Sequence, residues 1–219
     1  MKVACSWSGG KDSCLACHKA IIQGVKVSYL INTVSQEYDR VLFHGIKSEL
    51  ARLQARLAQF PIVQPPINKD NYEEKYIKAA AKLKADGIEG IVYGDIALQD
   101  SRNWNEKVCE KLKVSPIFPL WGQIREQILN EFIDTGFKAI VTCTQANLLD
   151  KEWVGRWIDK KFIQELSCFG GIDLCGENGE YHTFVTGGPL FKGEIKILET
   201  EKVFKNGYWF LDILRYEVV

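Results

Sequence analysis

Ser8-Gly9-Gly10-Lys11-Asp12-Ser13 puts two glycines, two hydroxyls, a cation and a carboxylate into one short string. Between a strand and a helix, such a string gathers backbone N–H groups at the positive end of the helix, where a phosphate is stabilised. Gly9 and Gly10 let the backbone take unusual φ values and come close to an anion. Ser8 and Ser13 add hydroxyl donors, and Lys11 adds a charge. The spacing is neither GxxxxGK[ST] nor GxGxxG, so it is not a Walker loop or a dinucleotide fingerprint. The plainer alternative is an ordinary tight turn in which Asp12 opens the helix. The full string at the first strand of a βαβ unit favours phosphate. A second constellation is Glu177, Glu180 and His182. In a strand, positions 180 and 182 share a face, so a carboxylate and an imidazole converge on one pocket and can move protons. Cys175 lies close enough in sequence to raise zinc, but the spacing fits no zinc template. A solvated polar hairpin is the competing reading. Cys14-x-x-Cys17 sits within a helical pattern, as a redox pair, half a metal site or two small apolar side chains. No second CxxC exists to complete a four-cysteine site.

These residues need elements to hold them. Lys2–Trp7 reads as a buried strand and 13–23 as a helix ending at Gly24, followed by a strand over 25–33. Residues 49–58 form a helical stripe through Leu50, Leu53 and Leu57, and 61–64 a short strand. The spacing predicts a helix over 72–85 stopped at Gly87, a buried strand over 88–93, a helix over 101–112 and a strand over 115–118. Strands alternating with helices imply βαβ units and a parallel sheet, so the expected class is α/β with a Rossmann-like sheet. Pro116 and Pro119 bracket a boundary near residue 120, dividing 1–120 from a smaller α+β part at 121–219. There, Ile124, Ile128, Leu129 and Phe132 make a helical stripe, 137–143 a strand and 149–166 a helix. Trp153 and Trp157 would share one face of that helix. Residues 170–188 read as a functional loop plus strand. The end from Glu194 reads as two or three strands, with Asn206-Gly207 a hairpin turn. His18 on the first helix reads as solvent-facing or packed.

Composition narrows the function classes. The chain has 219 residues, 46% hydrophobic and 26% charged, a globular composition. Lys plus Arg and Asp plus Glu are both 28, so the balance disfavours nucleic acid as a partner through its phosphate backbone. No apolar run approaches the roughly 20 residues of a spanning helix. Met1-Lys2 leads directly into the first strand, without a signal-peptide pattern. Seven cysteines is an odd number, and a cytoplasmic protein with reduced thiols is expected.

The SGGKDS string resembles the pyrophosphate loop of the N-type ATP pyrophosphatases, the PP-loop superfamily of HUP-type, adenine nucleotide alpha hydrolase-like folds. Members adenylate a carbonyl oxygen, release pyrophosphate and let a nitrogen or sulfur nucleophile displace AMP. Further strings narrow the resemblance: Phe43-His44-Gly45, Gly94-Asp95-Ile96, Leu98-Gln99-Asp100-Ser101-Arg102, Pro119-Leu120-Trp121-Gly122, Glu152-Trp153-Val154-Gly155-Arg156 and Cys175 through Thr183. Together they resemble the diphthine–ammonia ligase family, from Lys2 to about Phe191; GENGEYHT at 176–183 is the string that singles it out. The resemblance implies ATP and Mg²⁺, with residues 1–120 binding ATP and 121–219 binding the acceptor. Ser8, Gly9, Gly10, Lys11, Asp12 and Ser13 would grip the β- and γ-phosphates, with Asp12 bracing the loop or meeting Mg²⁺. His44 would lie near the adenine, and Gly94 and Asp95 beside the nucleotide at a carboxyl strand end. Arg102, Arg156, Asn178 and Thr183 would face the acceptor, and Glu177, Glu180 and His182 would handle the ammonia proton. The implied acceptor is diphthine on translation elongation factor 2, or a small carboxylate in a bacterial branch, with free ammonia as nitrogen source. A homodimer is compatible with this reading. The alternatives are a thiolation-type tRNA-modifying enzyme of the same superfamily and a non-catalytic ATP or AMP sensor.

Overall fold

A computed structural model describes residues 1–68 and 70–219. In chain order the elements are β1 (Lys2–Ser6), α1 (Lys11–Ile22), β2 (Lys26–Ile31), β3 (Val34–Ser35), α2 (Ser48–Leu57), β4 (Ile62–Val63), β5 (Pro66–Ile67), α3 (Tyr72–Ala85), β6 (Gly90–Val92), α4 (Gln99–Leu112) and β7 (Ser115–Ile117). They continue with α5 (Arg125–Asp134), β8 (Lys138–Gln145), α6 (Lys160–Ser167), β9 (Tyr181–Gly187), β10 (Ile195–Lys205) and β11 (Tyr208–Val218).

The first half is the expected α/β fold. Its five-stranded parallel sheet has the order β4-β2-β1-β6-β7. Val3, Ala4 and Cys5 of β1 are all fully buried, the continuous apolar run of a strand covered on both faces. Strand order reverses between β1 and β6. In open α/β sheets that reversal leaves a crevice at the carboxyl strand ends, where ligands bind. The string 8–13 follows β1 and Gly94-Asp95 follows β6, so both motifs lie at the carboxyl ends of adjacent parallel strands.

The second half carries an antiparallel sheet of order β10-β11-β8-β9, with α5 and α6 packed together. The β10–β11 hairpin turns at Asn206 (φ 53°) and Gly207 (φ 82°), the left-handed pair that a two-residue turn requires. One apolar cluster runs through both halves, joining Val3, Leu15 and Val92 to Phe132, Val141, Phe162 and Tyr181. Among the described residues no helix is long and apolar enough to cross a membrane.

Two expectations give way in this half. The helix over 149–166 is reduced to α6. Gly155 adopts φ 87°, and Trp157 forms a bridge with Ile140 beside β8. The two tryptophans therefore do not share a helix face: Trp153 is buried, whereas Trp157 is 45% exposed. Ile124 precedes α5 and is exposed, while Ile128, Leu129 and Phe132 form the buried stripe.

Candidate active site

The turn after β1 is shaped by what crowds it. Gly9 takes φ 78°, a conformation that costs a glycine little. A Cβ on Gly10 would come within 2.5 Å of His44 Cε1 and 3.0 Å of the Thr183 carbonyl oxygen. A Cβ on Gly94 would stand 3.0 Å from Asp12 C and Ser13 N, so the chain after β6 packs backbone to backbone on the first turn of α1. The hydroxyls are used inside the loop. Ser8 Oγ lies 3.1 Å from Ser13 Oγ and accepts from Gly10 N at 3.2 Å, while Ser13 Oγ donates to Gly10 O at 3.0 Å. Among the described residues, the backbone N–H groups of Ser8, Gly9, Asp12 and Ser13 meet no acceptor. Two of these donors lie in the first turn of a 12-residue helix and two just before its N-cap, the donor set and dipole that an anion site requires.

Lys11 does not face that site. Its side chain is buried, its Nζ donates to the Cys175 carbonyl, pairs with Asp12 Oδ2 at 3.1 Å and lies 4.6 Å from the centre of the Tyr181 ring. Burial opposes its charge, but Asp12 and the surrounding Tyr181 and Cys175 outweigh that and hold the ammonium more firmly protonated than usual. The expected phosphate contact is thus replaced by an internal tie between the loop and residues 173–181. Burial pushes the Asp12 carboxyl up, against the pull of Lys11 and with help from Glu177 and Asp173. Asp12 Oδ1 is buried with no partner. An orphaned carboxylate oxygen beside an anion site suits a hard cation arriving with a polyphosphate. Among the described residues no cluster of three His, Cys, Asp or Glu side chains could cage a metal, so ligand and water oxygens would complete its shell.

The C-terminal string arrives through β9. Val185 N donates to Gly9 O at 2.9 Å, Lys11 N to Thr183 Oγ1 at 3.0 Å and His44 Nδ1 to Thr183 O at 2.8 Å. Thr183 therefore caps α1 and anchors His44, and both of its oxygens are occupied. The His44 and His182 rings face each other at 4.8 Å, with the exposed Phe43 ring 6.4 Å from His182. Burial, with Lys11 nearby, brings His44 down to about 4; burial, His44 and Lys11 bring His182 well below its usual range. Both imidazoles are neutral at pH 7, and among the described residues the His182 ring nitrogens are unbonded. Asp95, just after β6, is held at 3.0 Å by Asn105 Nδ2; burial, then Glu177 and Asp12, raise its carboxyl to about 6.

The two glutamates do not join His182 in a pocket. Glu177 is 11% exposed and accepts from the backbone amides of Ile96, Ala97 and Leu98, at 2.7, 2.8 and 3.3 Å, and from Arg125 Nη2 at 3.1 Å. It is clamped on the amides leading into α4. Glu180 is buried just before β9 and accepts from Asp173 N, Asn178 N and Asn178 Nδ2. The shared face predicted for 180 and 182 fails because the strand begins at Tyr181 and Glu180 turns back to hold its own loop. Asn178 is consumed by the same contact.

The expected acceptor arginines are engaged elsewhere. Arg102 bonds Glu106 and lies over Trp121 and Phe118, at 4.5 and 5.0 Å from the ring centres. Arg156 bonds Glu165 and lies 4.2 Å from the Trp153 ring centre. Cys14 and Cys17 are fully buried in the main apolar cluster, and His18 packs edge-on against Phe137. Two residues escaped the sequence reading. Arg125 bridges Asp173 and Glu177, and nothing in its neighbourhood announced it. Gln54 is fully buried between Trp7, Gly9 and Val185; a glutamine within the apolar stripe of α2 was the available signal.

The chain resembles known proteins over most of its length. The diphthamide synthase N-terminal domain matches residues 1–116 and the diphthamide synthase C-terminal domain matches residues 125–219. The chain belongs to the diphthamide synthase family. Its similar relatives include the diphthine–ammonia ligases of Mus musculus and Homo sapiens, each 29% identical over 230 residues, covering 94% of this chain and 86% of theirs. The diphthine–ammonia ligase of Danio rerio is 28% identical, covering 94% of this chain and 90% of its own.

Proposed function

We propose that this diphthamide synthase family member is an ATP-dependent, AMP- and pyrophosphate-forming ligase that converts a carboxylate to a carboxamide with ammonia. The acceptor we propose is diphthine on translation elongation factor 2, following the names of its relatives. The observation that carries this reading is the set of four unpaired amides at the switch point of the sheet, which suits a polyphosphate.

The chemistry divides between the two sides of the crevice. The free amides of Ser8, Gly9, Asp12 and Ser13 hold the β- and γ-phosphates, and their charge preference for the departing pyrophosphate lowers the barrier to its release. Asp12 Oδ1 would hold Mg²⁺, which would supply neutralising charge when bound. An oxygen of the acceptor carboxylate attacks the α-phosphorus, and the α–β bridging bond breaks with its electron pair going to pyrophosphate. Ammonia then attacks the acyl carbon, the C–O bond to AMP breaks, and the proton from nitrogen passes to the neutral His182 ring. His182, held neutral by burial and without a hydrogen-bond partner among the described residues, is the base assigned to this step. Full burial of Cys14 and Cys17 supports nitrogen over sulfur transfer.

The test is acceptor-dependent exchange of [³²P]pyrophosphate into ATP, with unamidated elongation factor 2 as acceptor, followed by amide formation on adding ammonium. Exchange and amidation together are expected. ADP formation, or exchange without amide, would refute the reading.

A further inference from the structure

The same two glycines that let the loop reach a phosphate also leave it free to turn its peptide planes over. Neither Gly9 nor Gly10 carries a Cβ to penalise a flipped Gly9–Gly10 peptide. In the structure that peptide is held by its carbonyl: Gly9 O accepts from Gln54 Nε2 and from Val185 N, each at 2.9 Å. A trans peptide directs its N–H opposite to its C=O. Pinning Gly9 O onto Gln54 and Val185 therefore turns the Gly10 N–H the other way, where it donates to Ser8 Oγ at 3.2 Å; a flipped peptide would break that bond and turn the carbonyl oxygen to the side of Ser8 Oγ.

Gln54 is built for that task. It is fully buried, and its amide hydrogen bonds are all directed at the turn and its two flanks. Its Nε2 donates to Gly9 O and, at 2.6 Å, to Val185 O, while its Oε1 accepts from Trp7 Nε1 at 3.1 Å. One side chain thus links the end of β1, the glycine turn and β9. A Cβ on Gly9 would strike Gln54 Oε1, so the glycine and the glutamine occupy matched space.

We propose that Gln54 is a positioning residue for nucleotide binding, holding the Gly9–Gly10 peptide in the orientation that turns the Gly9 carbonyl oxygen away from Ser8 Oγ and leaves the neighbouring free amides open to a polyphosphate. This rests on the ATP-binding reading of the loop. Gln54→Leu removes both donors and the acceptor. Gln54→Glu keeps size and the Trp7 acceptor but sets an oxygen against Gly9 O and Val185 O. Val108→Ala, a buried change on α4 in a separate apolar cluster that holds none of the loop residues, serves as the control for general destabilisation.

Affinity for ATP and for inorganic pyrophosphate is measured by calorimetry on the full chain. Both Gln54 variants are expected to lose about ten-fold or more in affinity for each, the scale of one well-placed hydrogen bond, while Val108→Ala binds like the unaltered protein. Gln54→Glu is informative because a role exercised only through Trp7 or through packing would spare it. Gln54 variants that bind as tightly as the control overturn the proposal, whereas failure of the unaltered protein to bind ATP overturns the reading of the loop instead. A measurement on the unaltered protein covers variants that do not fold. Both Gln54 side-chain N–H protons are expected to exchange slowly with solvent, with and without ATP. Rapid exchange in either state would mean that the glutamine does not hold the loop.

Discussion

Glu177→Gln separates a clamp from a catalyst. The carboxylate is 11% exposed; Oε1 takes the amides of Ile96, Ala97 and Leu98, and Oε2 takes Ala97 N at 3.0 Å and Arg125 Nη2 at 3.1 Å. In the glutamine variant the carbonyl oxygen keeps the three amide bonds of Oε1. The new NH₂ faces the guanidinium and Ala97 N–H, so the ion pair and one bond are lost. Arg125 is about a third exposed, so solvent screening limits the ion pair to about 1 kcal/mol. The further bond brings the total to about 1–2 kcal/mol. For a chain of this size that is a melting-temperature drop of about 2–8 °C. If Glu177 only holds residues 173–178 on the amides before α4, kcat for amide formation should fall less than about ten-fold. Loss of a general base costs about 10²–10⁴-fold. Steady-state amidation followed by mass spectrometry, paired with thermal unfolding, reads both quantities. A loss of 10²-fold or more in kcat with unchanged melting would refute the clamp and restore the catalytic glutamate.

Other residues make equally specific demands. Lys11→Met should destabilise the fold by about 1–3 kcal/mol in denaturant titration, because the Cys175 carbonyl loses its buried donor and the partly exposed Asp12 its cation; a surface phosphate ligand would leave stability nearly unchanged. Asp95 has its folded pKa raised from 3.8 to about 6, so its ionisation opposes folding, and stability falls as pH rises through that window. Asp95→Asn should remove that slope and stabilise the protein at pH 7 by at most about 3 kcal/mol, seen as a flatter profile of unfolding free energy between pH 4 and 6. His44 behaves oppositely. Its folded pKa lies at about 4, below 6.5, so its contribution is full above pH 6.5 and is lost as pH falls towards 4. His44→Gln should flatten that acid limb in the same titration, and an unchanged limb would contradict the burial assigned to His44.

Local signals carried much of the fold. The 72–85 helix is found at those limits, ended by Gly87 at φ 90°, because its spacing and its stop are both written within a few residues. The string 8–13 was legible for the same reason: a glycine turn between strand and helix is a local object. The failures share a cause in distance. Trp153 and Trp157 have helical spacing, yet Gly155 breaks the turn and pairing with Ile140 takes over. Lys11 has the residue type of a phosphate ligand, but a carbonyl 164 positions away claims it. Gln54 meets partners 45 and 131 positions away, and Arg125 meets Asp173 48 positions away, so no window of sequence contains either site. Glu180 differs for a local reason: the strand alternation that would pair it with His182 begins only at Tyr181.

The proposed reaction bonds a carboxylate oxygen of the acceptor to the α-phosphorus of ATP. Acceptor carrying ¹⁸O in the carboxylate tests this directly, when it is turned over with ATP and ammonium and the nucleotide product is weighed. One ¹⁸O atom in AMP is the expected result. AMP without label, or ADP as the product, would contradict it.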